Sequence, residues 1–297
     1  MYQPTTLEAA SRLVKDKGAG GHFLAGGTDL VIAIKEKGWV PKYVVDLKKI
    51  PGLSGIREKA EGTILIGALT TMREIETHRL LNAKYPFLCQ SAAEVGSIQI
   101  RNRATIGGNM ANATPSADVA PSLIALNATA KIVSARAERT VTLEEFFRGP
   151  GQTVMDSDEI LTEIVIPKTN PRLVGEYIKF SPRDMMDLAY VGIAVAYSLD
   201  EREKRCGGVR IVLGAVAPTP IRARQAEALL EGQILTEELA VKAGAEAAQE
   251  SQPISDVRSS ADYRRAMVGV MTKRALLNAA VPRTEKVAWC DRRDRRY

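Results

Sequence analysis

The chain has 297 residues, 45% of them hydrophobic and only 5% aromatic, and carries a net charge of +6. That length predicts two domains with a sizeable core, and no apolar stretch reaches the ~18 residues that a membrane span needs. The opening residues lack a basic and apolar leader, so a cytoplasmic protein is expected.

Half of the excess charge falls in residues 282–297, read as a solvated basic tail and not as an arm for nucleic acid. Cys89, Cys206 and Cys290 form no CxxC pair, and His22 and His78 have no metal-ligand spacing. No metal site is therefore expected on this chain. Redox chemistry, if present, must come from an organic cofactor or a partner.

Helix and strand signals alternate from the start. Thr5-x-x-Glu8 reads as a capping box that opens a helix with Leu7, Ala10, Leu13 and Val14 on one face. Phe23–Ala25 reads as a short strand ending in a diglycine, and residues 30–35 as a short helix that Thr28 or Asp29 can cap. Strands are expected at 44–47 and 63–66, and Thr71-x-x-Glu74 is a second capping box. Residues 86–96 look helical, whereas 97–121 is rich in turn formers and small residues. Residues 131–134 and 139–141 predict a hairpin, and 160–166 a strand that Pro167 stops. After a linker at Thr169-Asn170-Pro171, strands at 177–180, 189–199 and 209–216 precede helices at 223–230, 237–248 and 261–279. Strands grouped before helices imply an α+β second domain, one antiparallel sheet covered by helices.

Two loops carry the chemical signal. Ala25-Gly26-Gly27-Thr28-Asp29 lies between a strand and a helix, where glycines let backbone N–H groups turn toward an anion. An ordinary tight turn would look the same. Thr105-Ile106-Gly107-Gly108-Asn109 adds a hydroxyl and an amide to a second diglycine, and a loop packed between domains is its other reading. Together, with Asn112, Ser116 and Asp118 just beyond, they suggest clamps for a long, doubly phosphorylated, polyhydroxyl ligand such as FAD. No general acid or base and no nucleophile–histidine pair stands out, so no catalytic residue is assigned.

The ordered set AGGTDL, VVDL, IGALTT, QIRNRATIGGNMAN, Ala117-Asp118, EILTEIVIP and Tyr263-Arg264-Arg265-Ala266-Met267 resembles the FAD-binding medium subunits of the molybdenum hydroxylase and xanthine dehydrogenase family. Carbon-monoxide, nicotinate and aromatic-CoA oxidising enzymes are among its members. The resemblance implies a p-cresol methylhydroxylase-type (vanillyl-alcohol oxidase-like) FAD-binding domain at 1–170, with subdomains near 1–56 and 57–170. A C-terminal domain at 171–281, a three-stranded antiparallel sheet with a helical bundle, would follow.

It also implies FAD contacts from Ala25, Gly26, Gly27, Thr28, Asp29, Thr105, Ile106, Gly107, Gly108, Asn109, Asp118, Leu161 and Lys179. Asp118 would accept from the ribityl or flavin side, although a charge at a helix N-terminus explains it too. Leu161 would pack on the flavin, or fill the core. Lys179 would favour the anionic reduced flavin, or be an ordinary strand lysine. Leu188 stands where some relatives place a tyrosine over the flavin, and the cysteine-rich insertion of the aromatic-CoA enzymes is missing. The implied partners are a small subunit with [2Fe-2S] clusters and a large molybdenum–pterin subunit, in a dimer of heterotrimers that delivers electrons to NAD or another acceptor. A stand-alone flavin oxidase or reductase on the same fold is the alternative. Valine at Gly26 or Gly107 is expected to exclude FAD, by filling space that the pyrophosphate needs.

Overall fold

The computed structural model describes residues 1–36, 38–183, 185–200 and 205–281. The expected basic tail and Cys290 lie outside the described residues. Helix α1 (Leu7–Lys17) starts at Thr6, whose hydroxyl accepts from the Ala9 amide at 3.1 Å. The cap is thus one residue later than the Thr5–Glu8 box predicts, and Glu8 instead pairs with Arg12. Strand β1 (Gly21–Leu24), helix α2 (Leu30–Glu36) and strand β2 (Tyr43–Asp46) follow, with β1 and β2 paired in parallel. Ala10 and Val14 of α1 share a small core with Val45 and Leu47.

A five-stranded antiparallel sheet comes next. It is built from β3 (Ile56–Glu58), β4 (Ile64–Gly67), β5 (Thr129–Val133), β6 (Glu138–Thr142) and β9 (Ile160–Ile166), in the order β3-β4-β9-β5-β6. Between β4 and β5 run α3 (Met72–Thr77), α4 (Arg79–Lys84), α5 (Pro86–Ala93), α6 (Ile98–Arg101), α7 (Ile106–Asn112) and α8 (Val119–Ala125). A short α9 (Leu143–Phe146) and the hairpin β7 (Phe147–Gly149) with β8 (Gln152–Thr153) lead into β9. The Thr71–Glu74 box forms as expected, with hydroxyl and carboxylate bonding reciprocally to backbone amides. The turn-rich stretch 97–121 is the departure, because it holds α6, α7 and α8. Ser97 and Thr105 supply side-chain caps there, so short helices form despite the glycines.

The last unit contains β10 (Leu173–Phe180), β11 (Val191–Leu199), β12 (Cys206–Gly214) and the two-residue β13 (Ile221–Arg222), an antiparallel sheet in chain order. The three expected strands are its body, and β13 is a fourth at one edge. Helices α10 (Arg224–Leu230), α11 (Glu237–Glu250) and α12 (Ala261–Ala280) cover one face, burying Ile193, Val195, Tyr197, Ile211 and Leu213. The opposite face is not solvated. Tyr177, Ala194, Ala196 and Val212 belong to the main core, together with Phe87, Leu88, Leu123 and Ile124 of α5 and α8. Burial on both faces explains why 191–197 is an unbroken apolar run with no alternation.

Small residues set how closely the two units approach. A Cβ on Gly175 would lie 2.5 Å from the Phe87 ring, and one on Gly214 would lie 2.8 Å from the Pro121 ring. The helices of the first unit therefore rest almost directly on the backbone of the second unit's sheet.

Candidate flavin site

The first loop leaves β1 at Leu24 and enters α2 at Leu30. Gly27 takes a left-handed φ of +79°, which a side chain would strain. Among the described residues, no group accepts from the amides of Ala25, Gly26, Gly27, Thr28 or Asp29. Their N–H groups therefore remain available to an anion. Lys48, just after β2, reaches back to donate to the Ala25 carbonyl at 3.3 Å and pairs with Asp46 at 2.7 Å. A cation thus stands beside the loop, a residue that the motif reading missed.

The second diglycine behaves differently. Thr105 is the N-cap of α7, its hydroxyl accepting from the Gly108 amide at 3.2 Å. The amides of Ile106, Gly107 and Asn109 donate to Thr70, Ala68 and Thr105 carbonyls. Among the described residues only the Thr105 amide of this loop has no acceptor, so the expectation of a second anion-cradling nest gives way to a capped helix start. What it offers a ligand is the Thr105 hydroxyl hydrogen and the Asn109 side chain, whose Oδ1 is buried without a partner.

The glycines also have another reason to be there. A Cβ on Gly107 would lie 2.6 Å from the Ala68 Cβ, and one on Gly26 would collide with the Arg103 carbonyl oxygen. The steric expectation for valine at these positions is thereby corrected, since the space belongs to this chain's own backbone and side chains. The contact between Gly26 and Arg103 joins the two loops. A cleft of about 220 Å³ lies against this joint, lined among others by Ala25, Gly26, Lys48, Thr71, Arg103 and Thr105.

Asp118, Lys179 and Tyr177 form a buried cluster where the two units meet. Asp118 stands at the N-terminus of α8 without capping it through its side chain, so its reading as a charge at a helix N-terminus stays open beside the flavin one. Tyr177 Oη donates to Oδ1 at 2.8 Å, and Lys179 Nζ donates to Oδ2 at 3.0 Å and to the Glu94 carbonyl at 3.0 Å. Lys179 is a buried, paired lysine and not a solvated one. Burial pushes the Asp118 carboxyl up to about 6, against the opposing pull of Lys179 and the Tyr177 hydroxyl. Desolvation holds Tyr177 well above the ordinary phenol range, so it stays a donor.

Tyr177 is absent from the motif reading, although its spacing two residues before Lys179 places both on one face of the strand. Leu161 is buried on β9 opposite Ile132, within the main core. Its neighbour Thr162 accepts from the Ala68 amide, and the Ala68 carbonyl accepts from Gly107. The sheet is thereby tied to the start of α7. Leu188 is about half exposed, with Met186 bonded to the Gly96 carbonyl beside it. Among the described residues, no cluster of side chains could hold a metal ion, and no helix is long and apolar enough to cross a membrane.

Comparison with known proteins decides what this arrangement belongs to. Residues 1–169 match the family described as the FAD binding domain in molybdopterin dehydrogenase, and residues 176–279 match the CO dehydrogenase flavoprotein C-terminal domain. The chain belongs to the FAD-binding medium subunits of the molybdenum hydroxylase family. It is 34% identical to the carbon monoxide dehydrogenase medium chain of Hydrogenophaga pseudoflava, covering 94% of this chain and 96% of the relative. To the nicotinate dehydrogenase FAD-subunit of Eubacterium barkeri it is also 34% identical, over 80% and 81% of the two chains. A solved structure of the Hydrogenophaga pseudoflava carbon monoxide dehydrogenase superposes with a TM-score of 0.89, at 34% identity, over 94% of this chain and 96% of that one.

This FAD subunit is thus part of an oxidoreductase, and its residues fit the cofactor that its family binds. Pyrophosphate needs unengaged N–H groups, which residues 25–29 have. A polyhydroxyl chain needs buried acceptors, and the Oδ1 of Asn109 is one.

Proposed function

We propose that this FAD subunit is the electron outlet of a molybdenum-containing dehydrogenase, with substrate oxidised on a separate large molybdenum–pterin subunit. When bound, FAD supplies the capacity to take electrons from the [2Fe-2S] clusters of a small subunit and to hand them, singly or in pairs, to NAD or another acceptor. Carbon monoxide and nicotinate are the substrates named for the relatives. A dimer of heterotrimers in the cytoplasm is the assembly that we assign.

The chain's own contribution is binding and electrostatics. Ala25, Gly26, Gly27, Thr28 and Asp29 would present open amides to the pyrophosphate, and Lys48 would add positive charge nearby. Thr105 and Asn109 would bond to phosphate or ribityl oxygens at the start of α7, while Ile106, Gly107 and Gly108 shape that start. Asp118 and Lys179 would set the polarity on the flavin side, with Leu161 as an apolar wall. The observation that carries this reading is the joint between the two loops, which brings five unengaged amides against a capped helix start with an unpartnered Asn109 Oδ1.

The test is the visible spectrum of the purified chain, before and after acid precipitation and after adding free FAD. Flavin bands that leave with the supernatant and chromatograph as FAD are expected, along with little turnover of simple alcohols by the chain alone. A protein that neither carries nor takes up FAD, alone or with its partners, would overturn the assignment. Vigorous oxidase activity without partners would overturn the role as a subunit.

A further inference from the structure

Tyr177 is 1% exposed and lies on the face of β10 that meets the first unit. Its hydroxyl sits 3.2 Å from the position a Cβ would take on Gly192, the residue that pairs with Lys179 across the ladder. The absent side chain at 192 leaves room for that hydroxyl. The Asp118 carboxylate receives one donor on each oxygen, the phenol on Oδ1 and the ammonium on Oδ2. Both donors come from β10. Glu94, after α5, is the other charged group that acts on Asp118, and it opposes ionisation.

We propose that Tyr177 is a positioning residue of the flavin site, its hydroxyl holding the Asp118 carboxylate ionised and turned toward the cofactor. This rests on the reading of Asp118 and Lys179 as flavin contacts. A phenol O–H donating to a carboxylate is a charge-assisted bond that favours the ionised acid. Removing it moves proton uptake by Asp118 to higher pH, and a protonated Asp118 is a poorer acceptor for FAD. The pH at which FAD affinity falls should therefore rise when the hydroxyl is lost.

The experiment measures FAD affinity of the full chain from about pH 5 to 9, by flavin fluorescence, for wild type and Tyr177→Phe. In the wild type, affinity is expected to fall below about pH 6. In Y177F the midpoint rises by about one unit, a roughly tenfold change in the proton equilibrium, and the two proteins bind FAD equally at high pH. Should Y177F not fold, Gly192→Ala crowds the hydroxyl while keeping the ring, and a smaller upward shift is expected. An unmoved midpoint, or a loss of affinity that is uniform across pH, would make Tyr177 a packing residue and overturn the proposal. A wild type that binds no FAD at any pH, alone or with its partner subunits, would instead defeat the flavin reading. The carboxyl titration of Asp118 followed by carbon NMR, with Asp118→Asn as the assignment control, would then decide the Tyr177 bond by itself.

Discussion

Single side chains of this subunit divide into those that hold the fold and those that are free to hold a ligand. Asn109 belongs to the second group, because its buried Oδ1 has no hydrogen-bond partner among the described residues. Asn109→Ala should leave the stability of the apo protein within about 0.5 kcal/mol of wild type. It should weaken FAD about tenfold, the worth of one lost hydrogen bond, as read by equilibrium fluorescence titration. Unchanged affinity would remove Asn109 from the site.

Lys179 belongs to the first group, its ammonium being engaged by Asp118 and the Glu94 carbonyl, and in the proposed site it also faces the cofactor. The folded-state value of about 6 for Asp118 lies above the ordinary 3.8, so this carboxyl favours the fold most below pH 3.8 and loses that benefit as pH rises through about 6. Lys179→Met leaves the carboxylate buried with the phenol as its remaining donor, at a cost of about 3–5 kcal/mol where Asp118 is ionised. Protonation relieves the cost. Thermal melts should show a larger destabilisation at pH 8 than at pH 5, and equal losses at both would mean that the lysine acts through packing alone.

At the scale of elements, the junction of the two loops makes a distinct prediction. Gly26→Ala should cost about 1–3 kcal/mol by overpacking against the Arg103 carbonyl, and should lower apo stability together with flavin content. Thr236→Ala, which removes the α11 cap away from that junction, should cost about 1 kcal/mol. Its flavin content should stay normal. Chemical denaturation of both variants, with and without FAD, separates the two effects.

Elements of this kind show what was legible in the sequence. The β5–β6 hairpin, β9 stopped by Pro167, the Thr71 box and the three late helices carry local signals of alternation, capping or 3.6-residue periodicity, and all were expected. The segment 97–121 carries no helical signal in its sequence, because glycine, asparagine and serine favour turns until side-chain caps and tertiary packing outweigh them. The loops at 25–29 and 105–109 could be picked out from their residue types. Their contact through Gly26 and Arg103 joins residues 77 positions apart, and the amides of Ile106 and Gly107 are taken by Thr70 and Ala68, 36 and 39 positions away, which no local pattern encodes. Tyr177 was missed for the same reason, its partner Asp118 being 59 positions away.

For the whole molecule, the sheet of the last unit has helices from both units on its faces, so one of its two faces is buried only against the first unit. Calorimetry should give a single unfolding transition for the chain, and Gly175→Val, which drives a side chain into Phe87, should lower or split it. Two well-separated transitions in the wild type would show instead that the units fold independently. The face of β10–β12 turned to the first unit uses glycine and alanine where a free-standing sheet would carry larger groups, and it seats Phe87 and Pro121 against the backbone. Recombination between relatives is constrained accordingly. A chimera spliced in the linker near residue 170 would inherit helices from one parent and the facing glycines from another. Its crossovers should survive only where Phe87, Pro121 and Asp118 travel with Gly175, Gly214 and Tyr177.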